Sequence, residues 1–184
     1  MKELSKKEYI DELKYCYKNS RWEFSYYSVL YLYLSQYRNE KIQLVHCADW
    51  KSRGKRTSAA MKKVLEFCSA KFKDKNGKEY TGGIPDFQFV PSRYSFDNPC
   101  HANVFIEFKA PQFSDDGIYI PKKYKETTEI KHEFLNCDKI IYTDGISWFF
   151  LIKNQDPTLD EPINLMDTND NWDTLKNKII EFIN

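Results

Sequence analysis

Two short apolar runs constrain this chain more than any other stretch. Ile84-Pro85-Asp86-Phe87-Gln88-Phe89-Val90 and Val104-Phe105-Ile106-Glu107-Phe108-Lys109-Ala110 each hold an acid where an apolar strand would not ordinarily keep one. Both are rich in β-branched and aromatic residues and bounded by Gly, Pro, Asn and Ser, so both read as strands. The turn-rich Pro91 to Asn103 between them makes a long hairpin connection. Side chains two apart on a strand share a face, which sends Glu107 and Lys109 one way and Val104, Ile106 and Phe108 the other. With the strands side by side, Asp86 reaches the face of Glu107 and Lys109. Two carboxylates and an ammonium then converge. That donor set suits a hard divalent cation such as magnesium, which takes one or two carboxylates plus substrate phosphate. A metal so held stabilises charge on a phosphate and helps turn water into a nucleophile, and a lysine beside it orients that water or stabilises transition-state charge. The alternative is an ordinary hairpin with Glu107 and Lys109 as a solvated pair on its polar face.

Pro85-Asp86 followed by Glu107-Phe108-Lys109 resembles the PD and ExK elements of the PD-(D/E)XK nuclease superfamily, nearest to type I restriction-like nuclease domains. Lys139 to Thr143, Asp144-Gly145 and Ile146 to Ile152 read as two strands about an Asp-Gly turn. This stretch also resembles the hairpin that follows the ExK helix in restriction-type nucleases. The resemblance covers about residues 57–152. It implies an α/β (α+β) restriction-endonuclease-like core, with a central mixed sheet of about four to five strands flanked by helices. It implies Asp86 and Glu107 as metal ligands with the Phe108 carbonyl, Lys109 as the catalytic lysine, Mg2+ as cofactor with Mn2+ as a substitute, and DNA as substrate. Glu66 is the further candidate on the helix before the PD strand. Glu129 and His132 are candidates on the helix after ExK, where the Gln-x-x-x-Tyr pair of the type I members is not kept. For all three, solvated helix charges are the competing reading.

At 184 residues the chain is expected to be a single domain. Residues 1–40 would be an N-terminal helical extension, 57–152 the nuclease-like core, and 153–184 an acidic loop and closing helix. Ser5 is placed to cap a helix to Lys18, and Thr57 or Ser58 one running to about residue 72. Residues 21–37 read as one helix, apolar nearly all round, whose tyrosines are assigned to core packing with no binding role. Lys41 to Cys47 reads as a strand, residues 122–136 as a helix, and the stretch about Asn76-Gly77 as a small hairpin. Gly82-Gly83 allows close backbone approach, with a phosphate as one partner and an ordinary turn as the other reading.

The net charge of +1 carries no global basic field. Charge is nonetheless uneven: Lys51, Arg53, Lys55 and Arg56 stand in a stretch without acids, and are the candidate phosphate contacts. The five cysteines are odd in number and show no CxxC spacing, which argues against zinc and a disulfide framework and for reduced thiols in a cytoplasm. The charged N-terminus and the lack of a long apolar run predict no signal peptide and no membrane contact. Nucleic acid is the expected partner, with a homodimer or a larger complex as the expected assembly. A non-catalytic nucleic-acid- or protein-binding module on the same fold is the second functional expectation.

Overall fold

The computed structural model describes residues 4–20, 22–52, 58–73, 76–77, 79–124, 127–156, 161–168 and 170–184. Its centre is a mixed sheet of six strands in the order β1-β4-β5-β6-β7-β8. These strands are β1 (Ile42–His46), β4 (Phe87–Pro91), β5 (Val104–Phe108), β6 (Lys139–Thr143), β7 (Ser147–Ile152) and β8 (Ile163–Asn164). All neighbours run antiparallel except β5 and β6, which are parallel. A separate two-stranded ribbon joins β2 (Ala70–Lys73) to β3 (Glu79–Gly82), as the Asn-Gly turn predicts. The main sheet is wider than expected by the short outer strand β8.

The helices are α1 (Lys6–Asn19), α2 (Tyr27–Ser35), α3 (Ala59–Cys68), α4 (Thr128–Glu133) and α5 (Asn171–Ile183). Strand alternation divides them between two cores. Val104, Ile106 and Phe108 pack with apolar residues of α1, α2 and α5, while Phe105 packs with Met61, Val64 and Cys68 of α3 and Ile130 of α4. The odd and even residues of β5 therefore point to opposite faces, as read from the sequence. In the sequence order, α4 lies on the parallel crossover from β5 to β6.

Local chemistry sets the element ends. Ser5 caps α1 in a reciprocal box with Glu8. Ser58, rather than Thr57, caps α3 by accepting from the Met61 amide at 3.2 Å. That helix stops at Cys68, short of the predicted end: Ser69 turns extended, and Phe72 joins β2 opposite Tyr80. The single helix expected over 21–37 is instead a 3-10 turn at Glu23–Tyr26 followed by α2. The helix expected over 122–136 shrinks to α4 because Thr127 caps it, accepting from the Ile130 amide at 3.3 Å. Lys122 is engaged elsewhere, donating to the Ala110 carbonyl. The Asp-Gly turn joins β6 to β7, with Gly145 at φ 86° and the Asp144 carboxylate accepting from the Ile146 and Ser147 amides. Among the described residues, no helix is long and apolar enough to cross a membrane.

Candidate active site

Asp86 sits just before β4, held by its backbone on both sides. Its N–H donates to the Ile106 carbonyl, and its own carbonyl accepts from Cys47 at 2.8 Å and Ala48 at 3.1 Å. The side chain is fully buried, and each oxygen has a neutral donor: the Tyr27 hydroxyl at 2.8 Å to Oδ1 and the Phe108 amide at 2.8 Å to Oδ2. Phe87 pairs with Ile106, so extending that antiparallel register sets Asp86 opposite Glu107.

Glu107, on β5, is fully buried as well, and its Oε1 accepts from Lys109 Nζ at 2.6 Å. Lys109 follows the strand, its amide still tied to the Thr143 carbonyl of β6. Its ammonium also reaches Glu129 of α4 at 2.9 Å. Burial pulls the lysine's pKa down, but the charge of Glu107 and hydrogen bonds to Glu107 and Glu129 outweigh it and hold the ammonium well above its ordinary range. Burial, then the Asp86 charge and hydrogen bond, likewise keeps the Tyr27 hydroxyl protonated far beyond its usual pKa. Tyr27 is therefore a standing donor to Asp86.

The structure thus brings Asp86, Phe108, Glu107, Lys109 and Glu129 into one bonded chain, each linked to the next through the backbone or a hydrogen bond. Tyr27 joins it at the Asp86 end. Its place in an apolar helix concealed this role, and the usable signal was chemical: a tyrosine hydroxyl taken out of water seeks a partner.

The other candidates lie apart from this chain of contacts. Glu66 is on the exposed side of α3, opposite the Met61, Val64 and Cys68 face, and no contact links it to Asp86, Glu107 or Lys109 among the described residues. His132 stacks on Phe72, ring centroids 3.3 Å apart, and burial lowers its pKa against the opposing charge of Glu129. The close approach allowed by Gly83 is to α4: at φ 73°, a Cβ there would stand 2.9 Å from the His132 backbone carbon. Lys51 lies in a 3-10 turn over Ala48–Ser52, while Arg53, Lys55 and Arg56 fall outside the described residues.

The donor set fits a hard cation in kind, since Asp86 and Glu107 are adjacent, buried and offer oxygen. Among the described residues, no group of three or more His, Cys, Asp or Glu side chains is arranged to hold a metal, so any ion there would rely on the two carboxylates, the Phe108 carbonyl and its substrate. No family model matches the chain, and no match is found among curated proteins or among solved structures.

Proposed function

We propose that this chain is a metal-dependent nuclease hydrolysing phosphodiester bonds, with DNA as its substrate class and endonucleolytic cutting as its mode. The observation that carries the reading is the meeting of Asp86, Glu107 and Lys109 at neighbouring strand ends, with both carboxylates fully buried. Ordinary hairpins leave such acids on a wet face. A fully buried pair is costly even when partnered, and such pairs cluster at functional sites.

Asp86, Glu107 and the Phe108 carbonyl would hold Mg2+, or Mn2+ in its place. The ion supplies charge neutralisation at the phosphate and a more acidic bound water. Lys109, kept as an ammonium by Glu107 and Glu129, donates and does not accept a proton. Its part is to orient water and to offset negative charge developing on the phosphate. Glu129 restrains that ammonium from the side of α4, and Tyr27 with the Phe108 amide fixes the direction of the Asp86 carboxylate. The basic set Lys51, Arg53, Lys55 and Arg56 would contact the phosphate backbone, which positions a strand without reading its sequence. The proposed setting is the cytoplasm, as a homodimer or as the cutting subunit of a larger complex.

A second reading, a non-catalytic binding module on the same fold, is favoured by one observation. The Asp86 oxygens and Glu107 Oε1 are already engaged by donors of the chain itself.

A cleavage assay on plasmid, linear duplex, single-stranded DNA and RNA, with magnesium or manganese against EDTA, tests the proposal. Metal-dependent cutting lost in Asp86→Ala and Lys109→Ala, with circular dichroism unchanged, is the expected result. Full cutting by Lys109→Ala refutes the assignment. No cutting, together with no Asp86-dependent thermal stabilisation by magnesium, favours the binding module.

A further inference from the structure

A cleft of about 790 Å³ opens beside Asp86, a size typical of small-ligand sites. Trp22, Phe24, Tyr27, Tyr31 and His46 are among the residues that line it. Trp22 and Phe24 are each 68% exposed, although Trp22 caps, and Phe24 lies within, the 3-10 turn from which Tyr26 is sent into the core. Their rings lie 6.4 Å apart and inclined by only 27°. Scattered exposed apolar residues need no explanation, but aromatic rings gathered on one cleft mark a binding surface.

Two features say what the cleft takes. The first is continuity with the candidate active site. Tyr27 lines the cleft with its ring and donates from its hydroxyl to Asp86, so an occupant lies one side chain away from the candidate metal ligands. The second is charge. The described lining carries two carboxylates, Glu23 and Asp49, and no lysine or arginine. A planar base fits both features: its faces stack on the rings, and an exocyclic amino group donates to a carboxylate, as cytosine N4 does to Glu or Asp. The Nε2 of His46, buried with no hydrogen-bond partner among the described residues, marks a further polar atom at this wall.

We infer that the cleft is a stacking subsite for one unpaired, amino-bearing nucleobase. The strand that carries this base places its phosphate at Asp86, Glu107 and Lys109. The inference rests on the nuclease reading and deepens it: the substrate has a single-stranded or everted nucleotide beside the scissile bond, since a base within a duplex stack cannot enter.

The test is binding of fluorescein-labelled oligo(dC), oligo(dT) and blunt duplex, with calcium replacing magnesium. Wild-type protein is compared with the Trp22→Ala/Phe24→Ala double variant, whose altered side chains are largely exposed and outside the core. The double variant is expected to bind oligo(dC) roughly 5- to 150-fold more weakly, the span of stacking one base on an aromatic side chain. Duplex affinity should be unchanged, and wild type should prefer oligo(dC) to oligo(dT). Equal oligo(dC) binding by wild type and variant overturns the inference, as does a wild type that binds no single strand. A variant that turns a sedimenting dimer into a monomer also overturns it, by showing that a second copy fills the cleft. Plasmid cleavage by wild type and by Lys109→Ala, measured alongside, reports on the nuclease reading separately, because that variant leaves the cleft wall intact.

Discussion

Replacing Tyr27 with phenylalanine removes one oxygen and tests how the Asp86 carboxylate is held. The ring stays packed on Phe87, His46 and Phe108, with centroids 5.5, 5.2 and 6.0 Å away. What is lost is a 2.8 Å hydrogen bond to Oδ1 of a carboxylate with no exposed surface. A hydrogen bond to a charged group contributes about 1.5–3 kcal/mol, and a buried acceptor left unmet costs most of that. At about 2–4 °C per kcal/mol for a domain of this size, melting should fall by about 3–12 °C. Differential scanning calorimetry measures it, with far-UV circular dichroism to show that the fold persists. The mechanism is isolated by repeating the change in an Asp86→Asn background, where the acceptor is neutral and the loss should shrink to about 0.5–1.5 kcal/mol. An unchanged melting temperature in Tyr27→Phe, or the same loss in both backgrounds, would refute the idea that this hydroxyl supports the carboxylate's charge.

Two glycines form a matched pair. Gly77 and Gly83 have φ of 77° and 73°, so alanine at either incurs a left-handed backbone penalty of about 1–2 kcal/mol. Among the described residues, a Cβ at Gly77 meets nothing within 4 Å, whereas at Gly83 it meets His132 at 2.9 Å. The unfolding free energy from urea titration should therefore fall further for Gly83→Ala, by about 1–3 kcal/mol more; equal losses would mean that α4 simply moves aside. Thiol reactivity offers another check: burial pushes Cys68 up to about 12, and Cys47 and Cys137 are buried with it. Iodoacetamide at pH 8 followed by mass spectrometry should modify Cys16 and Cys100 first. Cys68 labelled as fast in buffer as in urea would contradict the packing of α3 on the sheet.

The legible parts of the fold were those written in local pattern. The β-branched and aromatic content of Val104 to Phe108 gave the strand, the period of two gave its faces, and Asp144-Gly145 gave the β6–β7 hairpin. The placing of Glu107 beside Lys109 followed from the same period. The parts that stayed hidden depend on contacts distant in sequence. Phe72 continues a helical pattern yet joins a strand, its backbone paired in β2–β3 and its ring stacked on His132. The break of the aromatic segment into a 3-10 turn and α2 exposes Trp22 and Phe24 while burying Tyr26, a division that a uniformly apolar stretch does not announce. The contact from Tyr27 to Asp86 joins residues 59 positions apart, and nothing near either residue encodes it.

The parallel seam between β5 and β6 also bears on how the chain is made. β6 and β7 close across a few residues, an event of about 1–10 μs, while β5 must wait for the crossover carrying α4 before its second edge is covered. Such non-local pairing is slow, because loop closure precedes any gain from contact. During synthesis the residues Val104-Phe105-Ile106, without exposed surface in the finished protein, leave the ribosome ahead of the strand that covers them. For that interval β5 is an apolar strand with an open edge, the form most prone to pair with another chain. The strand bearing Glu107 is thus also an open apolar edge of the nascent chain until β6 arrives.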